Sequence, residues 1–217
     1  TIGALGTLLA AVPIYLARNL APDLAHEPAT GLIGGMRLAP AAMAGAFLGG
    51  FLETTHFALL PNLAIAGGMD EGSAVRLLTA LIVGGLLTQY GLGWLADRIS
   101  RQILLVALGL IYVALIAVFP RILGSPDLAF ALIAVMGAAV IGLYTLGLAM
   151  LGQEVEPSQL ATANAAFILM YTSGGIVGPA VTGAAMTGTP IAGFVGATAA
   201  AAIALTAVIA FARSRTT

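Results

Sequence analysis

Long apolar segments separated by short polar turns run through the sequence, and they restrict the chain to folds that lipid can solvate. Of the 217 residues, 60% are hydrophobic and only 8% are charged. A soluble domain cannot bury that much apolar surface, so we expect lipid to surround most of the chain. In hydrocarbon the backbone is satisfied only in helices or closed barrels, and apolar segments of about 17 to 25 residues have the length of spanning helices. The sequence therefore predicts an all-α membrane protein.

Seven spanning helices are predicted, and they divide the chain into four regions. Residues 1–17 form one span, residues 18–39 a polar linker with a short surface helix, and residues 213–217 a polar tail. The remaining region, residues 40–212, holds a bundle of six spans: 41–66, 74–96, 103–119, 127–151, 159–187 and 191–212. Ser73 and Ser158 precede two of these spans and are the predicted N-caps.

Composition disfavours several classes of function. The net charge is −1, so nothing indicates a nucleic-acid partner. There is no cysteine, and the two histidines, His26 and His56, lie 30 residues apart, so we expect neither a metal site nor a cofactor. No phosphate-binding glycine loop and no nucleophile–base set is present, so we do not expect an enzyme. Because the sequence begins with Thr1, we expect it to be part of a longer protein.

One turn, between the third and fourth predicted spans, concentrates charge in an otherwise apolar region. Its sequence is Gly93-x-Leu95-Ala96-Asp97-Arg98-x-x-Arg101. Two apolar helices joined by a short charged turn form a membrane hairpin with the turn in water. A cytoplasmic position for this turn puts six of the eight arginines inside, together with the C-terminus, as the positive-inside rule favours. The six are Arg18, Arg37, Arg98, Arg101, Arg213 and Arg215.

This charged turn resembles the loop signature of the major facilitator superfamily of secondary transporters, roughly G-x-L-A-D-R-x-G-R-K. The match departs at Ser100, where glycine is usual, and at Gln102, where a basic residue is usual. A second segment, Gly174-x-x-x-Gly178-Pro179, resembles the Gly-Pro signature of antiporter members.

Two further pairs narrow the resemblance within the superfamily. The pairs Leu60-Pro61 and Gln89-Tyr90 resemble small bacterial drug- or sugar-type exporters of the YcaD kind.

The resemblance implies a fold and a function for the whole chain. Superfamily transporters have two six-helix halves, each built from inverted three-helix repeats. The chain corresponds to the end of helix six, the cytoplasmic linker and the C-terminal half, helices seven to twelve. It would move a small-molecule substrate by alternating access across a bacterial inner membrane, together with an N-terminal six-helix half. The alternative is a half-transporter bundle that serves as a structural or assembly subunit of a larger membrane complex.

The resemblance also implies a conformational latch in the charged turn. Asp97 would cap the N-terminus of a neighbouring helix, near residues 158–162, and pair with arginine, for which Arg98 and Arg101 are the candidates. A carboxylate is well placed there because a helix start presents unpaired N–H groups. The alternative is a solvated turn whose arginines only set the topology.

Ionisable side chains inside a span are the second set of candidates. Glu53 and His56 lie near mid-membrane depth on the second span, and their i, i+3 spacing puts them on a shared face. Glu53 is the candidate carrier of a coupling proton, and His56 would tune it or bind substrate. The alternative is a buried pair that fixes helix packing.

The remaining polar and aromatic candidates fall into two groups. Asn164, Tyr144 and Tyr171 are predicted to line the pathway, although polar side chains in spans often only join neighbouring helices. The predicted gate or hinge has four members: Gln89, Gly174, Gly178 and Pro179. An ordinary packing kink is the alternative for the last three.

Overall fold

A computed structural model of the chain describes residues 31–212, and all structural statements below refer to them. The predicted first span, most of the linker and the polar tail lie outside this range. The described residues form one short helix followed by six long ones. They are α1 (Gly31–Leu38), α2 (Pro40–Ala66), α3 (Glu71–Ala96), α4 (Arg101–Ile122), α5 (Pro126–Glu154), α6 (Leu160–Ala185) and α7 (Pro190–Phe211).

The six long helices are each long and apolar enough to cross a membrane. Turns of three to five residues connect them, so consecutive helices run antiparallel. The helices α2, α4 and α6 therefore run in one direction, and α3, α5 and α7 run in the other. This arrangement confirms the predicted all-α membrane fold.

The packing of the helices repeats between the first three long helices and the last three. Helix α2 packs most extensively on α6, and α5 packs in the same way on α3. Likewise α5 lies against α4 as α2 lies against α7. Exchanging α2 with α5, α3 with α6 and α4 with α7 therefore carries each of these pairings into its counterpart. Two three-helix units of this kind are the organisation of one half of a major facilitator fold.

Three helix ends differ from the predicted ones: the start of α3, the end of α4 and the start of α6. Helix α3 is capped by Asp70, not by Ser73, because the helix begins at Glu71 and the Ser73 amide donates to Asp70 Oδ1 at 2.9 Å. Helix α4 continues through Pro120 to Ile122, beyond the predicted end. Helix α6 has Gln159 in the N-cap position without a side-chain cap, so Ser158 does not fill that role.

The Asp70 cap predicts a pH-dependent contribution to stability. Hydrogen bonds from the Ser73 side chain and backbone hold the pKa of Asp70 below its ordinary value. The lowered pKa means that the stabilisation is present above the ordinary carboxyl pKa and is lost as the pH falls through the folded value. We expect Asp70→Ala to lower the thermal midpoint in detergent at neutral pH, and the difference from wild type to shrink in acid.

Asp70→Asn is the matched control, because asparagine caps a helix but does not titrate. It should keep the neutral-pH midpoint and lose the pH dependence. An Asp70→Ala midpoint equal to wild type at neutral pH would show that the cap does not stabilise α3.

Candidate functional site

Glu53 lies at the midpoint of α2. It is 13 residues from either end of α2, roughly 20 Å from each end at 1.5 Å per residue. Its side chain is partly buried, and its Oε2 accepts a hydrogen bond of 2.9 Å from the hydroxyl of Tyr171 on α6. The structure therefore places the predicted coupling residue at mid-depth and gives it a polar partner on a second helix.

Tyr144 on α5 completes a three-helix cluster around this hydrogen bond. Its ring packs edge-to-face on that of Tyr171, with centroids 4.9 Å apart and planes at 68°. On its other side it meets Phe167 at 5.5 Å. Three of the five predicted pathway residues, one each from α2, α5 and α6, are thus brought together. We refer to Glu53, Tyr144 and Tyr171 as the acid–tyrosine cluster.

Glycines allow the two helices that carry the hydrogen bond to approach closely. A Cβ at Gly50 of α2 would overlap the backbone carbonyl of Tyr171, and a Cβ at Gly174 of α6 would overlap that of Phe47. Small residues are the usual means by which membrane helices bring their backbones together. The crossing holds the carboxylate of Glu53 within reach of the Tyr171 hydroxyl.

The other predicted hinge residues take part in the same crossing. A Cβ at Gly178 would overlap the backbone carbonyl of Phe51, and Pro179 lies inside α6, which continues to Ala185. Close packing at these glycines is expected if they only let the helices approach, which is the alternative to a hinge. The hinge role of Gly174, Gly178 and Pro179 stays a prediction.

His56 points away from the acid–tyrosine cluster. It is fully buried, with its ring between Tyr112 of α4 at 5.6 Å and Phe194 of α7 at 5.3 Å. Its Nδ1 donates to the Leu52 carbonyl at 2.7 Å, and its Nε2 has no hydrogen-bond partner among the described residues. The i, i+3 spacing therefore does not bring Glu53 and His56 to the same neighbours.

Asn164 and Gln89 lie nearer the helix ends than the acid–tyrosine cluster does. Asn164 is two turns before Tyr171 on α6 and lines a cavity of about 510 Å³ between the end of α5 and the start of α6. Gln89 is partly buried two turns before Asp97 on α3. The structure gives neither residue a contact with Glu53, and their pathway and gate roles stay predictions.

Of the three charged side chains of the turn, Arg101 has a hydrogen bond to another helix of the described region. Arg101 donates to the Ala149 carbonyl of α5 at 2.9 Å. Arg98 folds back on its own helix, donating to the Trp94 carbonyl and lying 3.7 Å from the centroid of that ring. The exposed carboxylate of Asp97 accepts no hydrogen bond from the described part of the chain. The latch predicted for residues 158–162 is therefore not formed in this arrangement.

Within residues 31–212 no three histidine, aspartate or glutamate side chains come together in a way that could hold a metal ion. The acid–tyrosine cluster itself offers one carboxyl group and two phenols.

Comparison with known proteins decides the family. The sequence profile of the Major Facilitator Superfamily matches residues 42–217, which include all of the six long helices except the first two residues of α2. The chain belongs to the major facilitator superfamily.

The individual members of the superfamily that match this chain share about a quarter of its residues. The uncharacterized MFS-type transporter YcaD of Escherichia coli O7:K1 (strain IAI39 / ExPEC) is 27% identical over 179 residues, covering 81% of this chain and 46% of the relative. YcaD of Escherichia coli strain K12 / DH10B gives the same identity and coverage. The chain thus spans about half the length of the curated relatives it matches. No solved structure matches the sequence.

Gln102, a departure from the superfamily loop signature, has a structural role that the sequence did not predict. Its side-chain amide donates to the carbonyls of Ile209 at 2.6 Å and Ala212 at 2.8 Å. The last carbonyls of a helix lack intrahelical partners, so Gln102 caps the end of α7 from the start of α4. The sequence did show that a glutamine replaces the usual basic residue at this position. It could not show the partners of its side chain, which lie more than 100 residues away in sequence.

The close crossing of α2 and α6 makes a quantitative prediction. Gly174→Ala should destabilise the bundle by about 1 to 3 kcal/mol, because the new methyl group meets backbone that cannot move aside. Gly196→Ala on α7 is the matched control, since a Cβ there has open space around it. Thermal or denaturant unfolding in detergent measures both. Equal stability of the two variants would contradict the crossing.

The Gln102 cap predicts a separate loss of stability. Gln102→Ala removes two hydrogen bonds and leaves the carbonyls of Ile209 and Ala212 without this partner, so we expect a loss of about 1 to 3 kcal/mol. The control is Gln153→Ala, at an exposed glutamine near the end of α5. Unfolding measurements that find no difference between these variants would rule out a stabilising cap.

Proposed function

We propose that this chain is the C-terminal half of a secondary active transporter that couples movement of a small molecule to a proton carried by Glu53. The superfamily assignment supports a membrane transporter. The observation that carries the finer proposal is the Glu53–Tyr171 hydrogen bond at mid-depth between α2 and α6. An ionisable side chain at that depth is costly and is usually retained for function.

The geometry gives the proton a mechanical consequence. When Glu53 is ionised, its oxygens only accept hydrogen bonds, and the Tyr171 hydroxyl donates to one of them. When Glu53 is protonated, the carboxyl group becomes a donor as well, and the hydrogen bond from Tyr171 loses the assistance of the negative charge, so the contact between α2 and α6 weakens. A change of protonation is thereby transmitted to two helices that cross closely. We propose that this biases the rocking of the half-transporter between its two facing states.

The second half and the orientation belong to the same proposal. We propose that a six-helix N-terminal half completes the pathway, and that the charged turn and the C-terminus lie in the cytoplasm of a bacterial inner membrane. Of the described arginines, Arg37, Arg98 and Arg101 then lie on the inside, and Arg76 and Arg121 lie outside. Asp97, which is exposed and accepts no hydrogen bond from the described residues here, forms its latch with residues 158–162 in the outward-facing state.

Proton-coupled flux in the full-length protein tests the role of Glu53. We expect the protein, reconstituted in liposomes loaded with the pH indicator pyranine, to move protons when a member of a drug and sugar panel is added outside. Glu53→Gln should reduce this flux to the rate of empty liposomes, because the amide cannot take up the proton. The exposed Glu156→Gln is the matched control and should behave as wild type.

Undiminished flux in Glu53→Gln would contradict the coupling role. The absence of substrate-dependent flux in the wild-type protein across the panel would instead favour the structural or assembly subunit. That alternative requires the bundle to pack against a foreign membrane partner, which co-purification would reveal.

A further inference from the structure

An apolar groove opens on the side of the bundle where α2 and α6 begin and α7 ends. It has a volume of about 390 Å³, and every side chain that lines it is apolar. Four helices, including the short α1, supply the lining, chiefly Met36, Met43, Phe47, Met170, Leu205 and Val208. Along α2 the groove extends from Pro40 to Phe47, about 10 Å at 1.5 Å per residue. It therefore starts at the level of the helix ends and stays within one leaflet of a hydrocarbon core about 30 Å thick.

Helix α1 is held against the bundle beside this groove. A Cβ at Gly35 would lie 3.1 Å from the carbonyl oxygen of Thr162 and 3.2 Å from the Cβ of Ala166, so α1 packs closely on the first two turns of α6. Helix α1 also carries Leu32 and Ile33, which are 48% and 70% exposed. Exposed apolar side chains on a short helix at the end of a membrane bundle are expected at the boundary between lipid headgroups and acyl chains.

Arg37 brings a positive charge to the mouth of the groove. It follows the lining residue Met36 in the last turn of α1, and its side chain is exposed. The other four arginines of residues 31–212 each donate to a backbone carbonyl, whereas Arg37 donates no hydrogen bond to any described residue. A guanidinium group is well suited to a phosphate, which it can meet with two parallel hydrogen bonds.

We propose that this groove binds one acyl chain of an anionic phospholipid and that Arg37 pairs with the phosphate of the same lipid. The lipid belongs to the leaflet on the side of the charged turn. Three of the lining residues are methionines, whose flexible side chains suit an acyl chain that adopts many conformations. The inference goes beyond the transport function and does not depend on the role of Glu53. No bond is made or broken.

The shape and charge of the site separate a phospholipid from two other occupants. A soluble phosphate compound would engage Arg37 but would leave the apolar groove empty. A membrane helix is about 10 Å across, so only its side chains could enter a groove of this volume. A phospholipid has both parts that the site offers to bind, a negative headgroup at the level of the helix ends and an acyl chain below it.

Native mass spectrometry of the full-length protein in detergent tests the charge at the groove mouth. The probes are dioleoyl phosphatidylglycerol and dioleoyl phosphatidylcholine, which share their acyl chains and differ in net charge. We expect wild type to bind phosphatidylglycerol about fivefold more tightly, and Arg37→Gln to abolish this preference. Arg121→Gln is the matched control, because it removes an exposed arginine at the opposite end of the bundle.

A bulky side chain in the groove tests the acyl chain. Val208→Trp should weaken binding of both lipids about tenfold, because the indole ring takes the space that the chain needs. The control is Ile203→Trp, which changes another exposed position of α7 that does not line the groove. It should bind both lipids as wild type does.

Four outcomes would overturn the proposal. The first is equal affinity of wild type for the two lipids, which needs no variant to fold. The second is an undiminished preference for phosphatidylglycerol in Arg37→Gln. The third is wild-type affinity in a folded Val208→Trp variant, which is expected if a segment of the N-terminal half covers the groove. The fourth is displacement of the lipid by glycerol 3-phosphate, which has no acyl chain and would show a site for phosphate alone.

Discussion

A carboxylate in the middle of a membrane bundle is the constraint on which the rest of this structure depends. Placing a charged side chain at the centre of a spanning helix costs about 3 kcal/mol on insertion scales. A single hydrogen bond to a charged group returns about 2 kcal/mol. The Tyr171 hydroxyl therefore does not by itself stabilise the charged form of Glu53, and no described arginine is near enough to help. Under the proposed function, a proton on Glu53 supplies the remaining compensation.

The glycine-mediated crossing is what makes that single hydrogen bond possible, and it occurs twice in the fold. Gly50 and Gly174 bring α2 and α6 together, while Gly84 and Gly137 do the same for α3 and α5. The second crossing corresponds to the first under the exchange of three-helix units, so the same packing solution serves both repeats. Only the first crossing carries a carboxylate. The two three-helix units thus share the same helix packing. The crossing of α2 and α6 differs from the other by carrying Glu53 and its two tyrosine neighbours.

The sequence predicted what depends on local composition and missed what depends on packing. Apolar length alone gave the six long helices, because a span must match the thickness of hydrocarbon. The predicted start of α3 is wrong because Asp70 and Ser73 are both good N-caps, and the structure shows that Asp70 accepts the bond from the Ser73 amide. Helical spacing put His56 beside Glu53, yet the rotation of α2 among its neighbours directs His56 to Tyr112. The long-range bond to Tyr171 leaves no local signal in the sequence.

The most direct measurement is an infrared difference spectrum of the full-length protein in lipid as the bathing solution is changed between acid and neutral pH. We expect a carboxyl C=O band that appears on acidification in wild type and is absent in Glu53→Gln. This expectation would be contradicted if wild type and Glu53→Gln gave the same spectrum. In that case the carboxyl group at the centre of the bundle does not exchange its proton, and Glu53 serves only to join α2 to α6.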